Sequence, residues 1–167
     1  MTGNTPCLFR LLCDKDTIFA SWQTTMNEGK ELQRLLGFQL LMAELQMENH
    51  AREALAPFGI SPARLAALLI IRDNPGCDQT ALGQALWVNR SSAMKLVNAL
   101  TEQDLVERQP GRDLRTNALH LTPCGRDRLD AMVRSLDESD AAAAVALSAD
   151  ERRQLLALLR KLRHGRD

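Results

Sequence analysis

Six polar side chains recur at helical spacing in a short stretch: Asn89, Arg90, Ser91, Ser92, Lys95 and Asn98. Behind them Ala93, Leu96, Val97 and Leu100 fill the i, i+3, i+4, i+7 pattern of a helix with one apolar face. Arg, Lys and Asn on such a helix can donate to base edges in a major groove. Short polar groups at its start can approach a phosphate, where the helix dipole favours an anion. Downstream, the polar run from Gln109 to Asn117 holds Pro110-Gly111 and is served by Arg108, Arg112 and Arg115. A polar helix face followed by a basic hairpin tip has the chemistry of a nucleic-acid contact.

Other chemistries find no support. Cys7, Cys13, Cys77 and Cys124 make no Cys-x-x-Cys pair, and the three histidines stand far apart at 50, 120 and 164. That spacing offers no zinc site. There is no nucleophile–base spacing, phosphate loop or metal set, so neither an enzyme nor a bound cofactor or metal is expected. Lys+Arg and Asp+Glu both number 21, so net charge does not announce a DNA partner. From Asp78 to Arg126 six basic residues face five acidic ones, a balance of only +1. Any DNA surface must therefore be made by placement of charge.

The elements that position these residues follow from spacing and caps. Asp78 caps a short helix carrying Leu82, Ala85 and Leu86, and Asn89 caps the next one. Two short helices joined this tightly form a helix-turn-helix. Leu105-Val106 and Leu119 with Leu121 read as two short strands around the basic tip, a wing. Upstream, Ser61-Pro62 starts a helix with Leu65, Leu68 and Leu69 on its core face, ended by Asn74-Pro75-Gly76.

The flanks are helical. Residues 31–57 predict one long helix with two apolar stripes, Phe38, Leu41, Met42 and Leu45 beside Leu36, Leu40, Ala43 and Met47. A surface helix of a monomer needs one stripe, so two suggest a second chain, or else a larger monomer core. Thr122-Pro123 opens a helix with Leu129, Met132, Val133 and Leu136. Ser148-x-x-Glu151 is a capping box before Leu155, Leu158, Leu159 and Leu162. Residues 1–30 read as an extension of uncertain order. Asp16 can cap a short helix through Trp22, and Met26 is an alternative start. Aromatics make up 4% with no Tyr, which disfavours a sandwich or barrel. No apolar run reaches the roughly 18 residues of a membrane span, and Leu8–Leu12 is too short for a secretory signal. The expected location is the cytoplasm, where the thiols stay free.

The ordered string Leu105-Val106-Glu107-Arg108, Asp113-Leu114-Arg115 and Leu119-His120-Leu121-Thr122-Pro123-Cys124-Gly125 resembles the winged-helix core of the multiple-antibiotic-resistance-regulator (MarR) family. The resemblance spans about residues 31–167. It implies a mainly α fold with a small β-wing, in which residues 61–122 are a winged helix-turn-helix DNA-binding lobe. Residues 31–60 and 123–167 would be dimerisation helices. It further implies a homodimeric repressor released from double-stranded DNA by a small, often aromatic or phenolic, effector. In that pattern Arg115 enters the minor groove and Asp113 braces the wing.

Three departures qualify the resemblance. Trp87 stands in the turn where the family commonly has Gly, so either the turn takes another shape or the indole packs over it. Packing is favoured over contact with DNA or ligand. Trp22 is similar to a feature of urate-sensing members, but Ala63-Arg64-Leu65-Ala66-Ala67 lacks their acid. Peroxide sensors of the family use an N-terminal Cys activated by tyrosines. Cys7 and Cys13 have only Arg10 and Lys15 nearby, so a redox role for them is an alternative reading. A winged helix that binds protein rather than DNA is the other, and it would not need a polar helix face and a basic wing together.

Overall fold

A computed structural model describes residues 29–111 and 117–164. The chain divides into two units, residues 1–42 and 43–167. In the first, helix α1 (Gly29–Arg34) is followed by the opening turns of α2 (Leu36–Leu55). The single helix expected over 31–57 is thus interrupted at Leu35. The Gln39 Nε2 donates to the Gln33 carbonyl across the break. Leu32, Leu35, Leu36, Leu41 and Met42 are exposed in this unit.

The second unit holds the end of α2, a 3₁₀ turn (Ala56–Phe58), α3 (Pro62–Asp73), α4 (Gln79–Ala85) and α5 (Arg90–Glu102). Strands β1 (Val106–Pro110) and β2 (Asn117–Leu121) follow, then α6 (Pro123–Ala143) and α7 (Ala149–His164). The strands pair antiparallel from Val106 opposite Leu121 to Pro110 opposite Asn117. They are longer than the apolar pairs suggested, because Glu107 to Pro110 continue the ladder as exposed residues. Cys77 adds an isolated bridge to Leu119. This is a winged helix-turn-helix, mainly α with a small β-wing.

Helices α3 to α7 each start where a polar side chain satisfies orphan amides. Ser61 accepts from the Arg64 N–H, Asp78 from Thr80 and Ala81, Asn89 from Ser92, and Thr122 from Gly125. Ser148 and Glu151 close the capping box in both directions. The core beneath them joins Leu55, Leu65, Leu68, Ile71, Leu82, Val97, Leu100, Leu105, Leu119, Leu129 and Met132. Ala85, expected on a core face, is exposed.

The Leu-x-Leu-Thr-x-x-Gly stretch has a physical reason. Thr122 donates its N–H to the Leu105 carbonyl and its hydroxyl to the Asp104 carbonyl. That draws the start of α6 onto the strand entry, and a Cβ on Gly125 would lie 2.1 Å from the Leu105 oxygen. Only glycine allows this approach. Ser135 and Arg128 then tie α6 to the end of α2 and to the 3₁₀ turn after it, donating to the Ala54 and Phe58 carbonyls.

Candidate nucleic-acid interface

The join between α4 and α5 decides how the polar helix face is presented. Gly83 sits where a Cβ would meet the Ala93 Cβ at 3.2 Å, so the two helices cross closely. The Trp87 N–H donates to the Gln84 carbonyl and the Val88 N–H to the Gly83 carbonyl. Those two bonds define a Schellman end, whose penultimate residue takes left-handed backbone angles. Here that residue is Trp87, at φ +57°. The α5 helix ends the same way, with Asp104 at φ +55° and Leu105 donating to the Leu100 carbonyl. Asp tolerates this conformation, whereas a bulky residue is held there against a steric cost of about 1–2 kcal/mol.

Both expectations for Trp87 are corrected. The turn keeps the glycine-type shape, and the indole does not pack: the residue is 88% exposed. The physical reason is direction. The hydrogen bonds that close the turn fix the Trp87 backbone with its side chain in solvent, while Val88 beside it is half-buried.

Beyond the turn, Asn89 caps α5 by accepting from the Ser92 N–H at 2.9 Å. Arg90, Ser91, Lys95 and Asn98 are exposed, Ser92 is half-buried, and Ala93, Val97 and Leu100 are buried on the other side. Asn98 is held by the wing: the Arg108 guanidinium donates to its Oδ1 at 2.5 Å. Two of the residues singled out from the sequence therefore meet each other across the groove between α5 and β1. Arg112, Asp113 and Arg115 lie outside the described residues, as do Cys7, Cys13 and Trp22.

A concavity of about 230 Å³ opens between the start of α4, α5 and the wing strands. Gln79, Thr80, Arg90, Met94, Arg108 and Asn117 line it. The sequence reading missed Gln79, Thr80, Met94 and Asn117. Asp78 as a cap was the available signal for the first two, because it places them in the first turn of a helix. The amides there are already taken by the Asp78 carboxylate, at 2.8 Å from both Thr80 and Ala81. Met94 offers an apolar patch among the cations, 49% exposed. The thiol of Cys77 behind this surface is half-buried. Burial pushes its pKa up, with the Asp78 charge adding to the shift, which disfavours the reactive thiolate.

A profile of the MarR family matches residues 58–115, the stretch from the 3₁₀ turn into the wing. A Thauera aromatica protein assigned to transcriptional regulation of the hcr operon is 35% identical over 129 residues, which cover 76% of this chain and 78% of that one. The chain belongs to the MarR family. Among solved structures, the repressor CouR bound to a 23-mer DNA duplex is 27% identical with a TM-score of 0.79, covering 84% of this chain and all of that one. A MarR variant from E. coli in complex with operator DNA is 25% identical with a TM-score of 0.70, covering 76% and 92%. CouR has also been solved with p-coumaroyl-CoA, at 27% identity and a TM-score of 0.74, covering 83% and 99%. This MarR-family chain has the fold of those transcriptional regulators. No single helix among its described residues is long and apolar enough to cross a membrane.

Proposed function

We propose that this chain is a repressor that binds a pseudo-palindromic operator as a homodimer and leaves it when an aromatic acid or its coenzyme A thioester binds. The observation that carries the reading is the exposed row Arg90, Ser91, Lys95 and Asn98, set beside a wing strand that bears Arg108. A solvated helix face has no reason to be clasped to a wing. A groove reader does, because base contacts need their side chains held in register.

In this reading residues 61–122 read DNA, while residues 31–60 and 123–167 join two copies. Asn89, Ser91 and Ser92 approach the backbone at the start of α5. Arg90, Lys95 and Asn98 face base edges, and Arg108 with Arg112 meets the flanking phosphates. Arg115 enters the minor groove and Asp113 braces it, as the family resemblance implies. Two such lobes related by a two-fold axis would read half-sites about one turn, roughly 10 base pairs, apart. The effector class rests on the coenzyme A thioester seen in CouR.

Fluorescence anisotropy on a duplex from upstream of the protein's own gene tests the DNA reading. Arg90→Ala is expected to cost about 1–3 kcal/mol on that duplex and little on unrelated DNA. Arg115→Ala is expected to weaken both and to lower the slope of log K against log salt by about 1. Parent affinity and parent salt slope in both variants would end the reading. Adding p-coumaroyl-CoA and free p-coumarate in separate titrations then separates thioester from acid.

A further inference from the structure

We propose that Trp87 is a DNA contact of this chain, its indole laid against the sugar–phosphate backbone at the edge of the major groove that α5 enters. The proposal rests on the DNA-binding reading and adds a residue that neither the polar helix face nor the wing supplies.

Three observations carry it. First, Trp87 takes the left-handed backbone at φ +57° that a Schellman end reserves for glycine. A bulky side chain there is disfavoured, and such residues persist where the surrounding structure imposes them, often at functional sites. Second, nothing among the described residues compensates. A tryptophan ordinarily repays its cost by burying its large ring, yet this one is 88% exposed while Val88 beside it is half-buried. Third, its place is fixed relative to the recognition surface. The bonds from Trp87 to Gln84 and from Val88 to Gly83 leave the turn no slack, and Asn89 caps α5 two residues later.

A residue so placed reaches what borders the groove, and along both borders of a major groove runs the sugar–phosphate chain. The indole suits that partner. Its N–H is a donor with no acceptor capacity, matched to a phosphate oxygen, and its ring covers the apolar faces of deoxyribose. Such a contact carries no sequence information. It would set how deep and at what angle α5 sits, a positioning role.

The chain has two tryptophans, so Trp22→Phe leaves Trp87 as the sole indole. That protein is titrated with two duplexes, one from upstream of its own gene and one unrelated sequence of equal length at low salt. The Trp87 emission is expected to be quenched by both. Trp87→Gly is expected to bind both duplexes about tenfold more weakly, the effect of losing one hydrogen bond to a charged group. Its melting temperature should hold or rise, since glycine fits the backbone. Trp87→Phe should fall between. A Trp87→Gly protein that binds both duplexes like its parent overturns the proposal, whatever the emission does. A loss confined to the upstream duplex overturns the backbone assignment in favour of base reading. Emission that shifts with protein concentration and not with DNA assigns the ring to a second copy and overturns it too. If the parent binds neither duplex, the DNA reading itself has failed and this inference falls with it.

Discussion

The lobe from Ser61 to Thr122 and the last helix, Ala149–His164, are both rich in leucine, and they use it in opposite ways. In the lobe Leu65, Leu68, Leu82, Leu100, Leu105 and Leu119 are each at most 1% exposed. In α7 Leu155, Leu156, Leu158 and Leu162 are 43–58% exposed, with only Leu159 half-buried. Leu36, Leu41, Met42 and Leu45 of α2 are likewise exposed. A region that completes its core within one chain can fold and hold a surface alone. A region that leaves an apolar stripe in water depends on another surface to cover it. One region closes its core within a single chain, and the other leaves apolar stripes uncovered there, as the proposed division into DNA-reading lobe and dimer contacts requires.

The contrast breaks most severely at Gly125. Replacing it with Ala sets a methyl 2.1 Å from the Leu105 carbonyl oxygen, a backbone atom that cannot swing aside. The expected cost exceeds about 4 kcal/mol, the range reserved for changes the structure cannot absorb. Circular dichroism should show a lobe that no longer melts cooperatively; a parent-like melt would mean that α6 does not need its close seat on the strand entry.

Core and stripe should then respond differently to the same deletion. Leu68→Ala empties a fully buried site and is expected to cost about 2–5 kcal/mol at every protein concentration. Leu158→Ala is expected to lower the melting temperature only through dissociation, so its effect should grow on dilution. Calorimetry over a hundredfold concentration range, with light scattering, makes the distinction. If the protein lacking residues 148–167 is still a dimer by light scattering, α7 is not part of the dimer interface.

Smaller effects sharpen the comparison at the helix starts. Asn89→Ala removes the acceptor for the Ser92 N–H and is expected to cost about 0.5–2 kcal/mol, read as a lower urea midpoint with an unchanged m-value. Smaller still is the capping box of α7. The Ser148 hydroxyl and N–H both donate to Glu151 and hold its carboxyl below the ordinary range. A depressed carboxylate contributes stability above its unfolded value, about pH 4.3, and that contribution is lost as pH falls through the folded value. Glu151→Gln should flatten this acid-side dependence in α7. An identical pH profile for the two proteins would show the box to be irrelevant in solution.

Much of the fold was legible because its signals are local. A cap and the apolar period behind it lie within one or two turns, so Ser61, Asp78, Asn89 and Thr122 marked their helices without any tertiary knowledge. The polar face of α5 was legible for the same reason, since the burial of Ala93, Val97 and Leu100 dictates which side faces out. The break at Leu35 was not, because the apolar period runs through it unchanged. The extent of the strands was not either. Glu107 to Pro110 carry no strand pattern and are extended only because Asn117 to Leu121 lie alongside.

The order of elements and the residue types on their faces follow from local pattern, since periodicity and caps act within a few residues. Tertiary structure alone decided the Arg108–Asn98 clasp, which spans a helix end and a strand, and the concavity that gathers Gln79, Met94 and Asn117 from three elements. It also decided Trp87. Composition argues for burying an indole, but the hydrogen bonds that close the α4–α5 turn fix the backbone first, and the side chain goes where that backbone points.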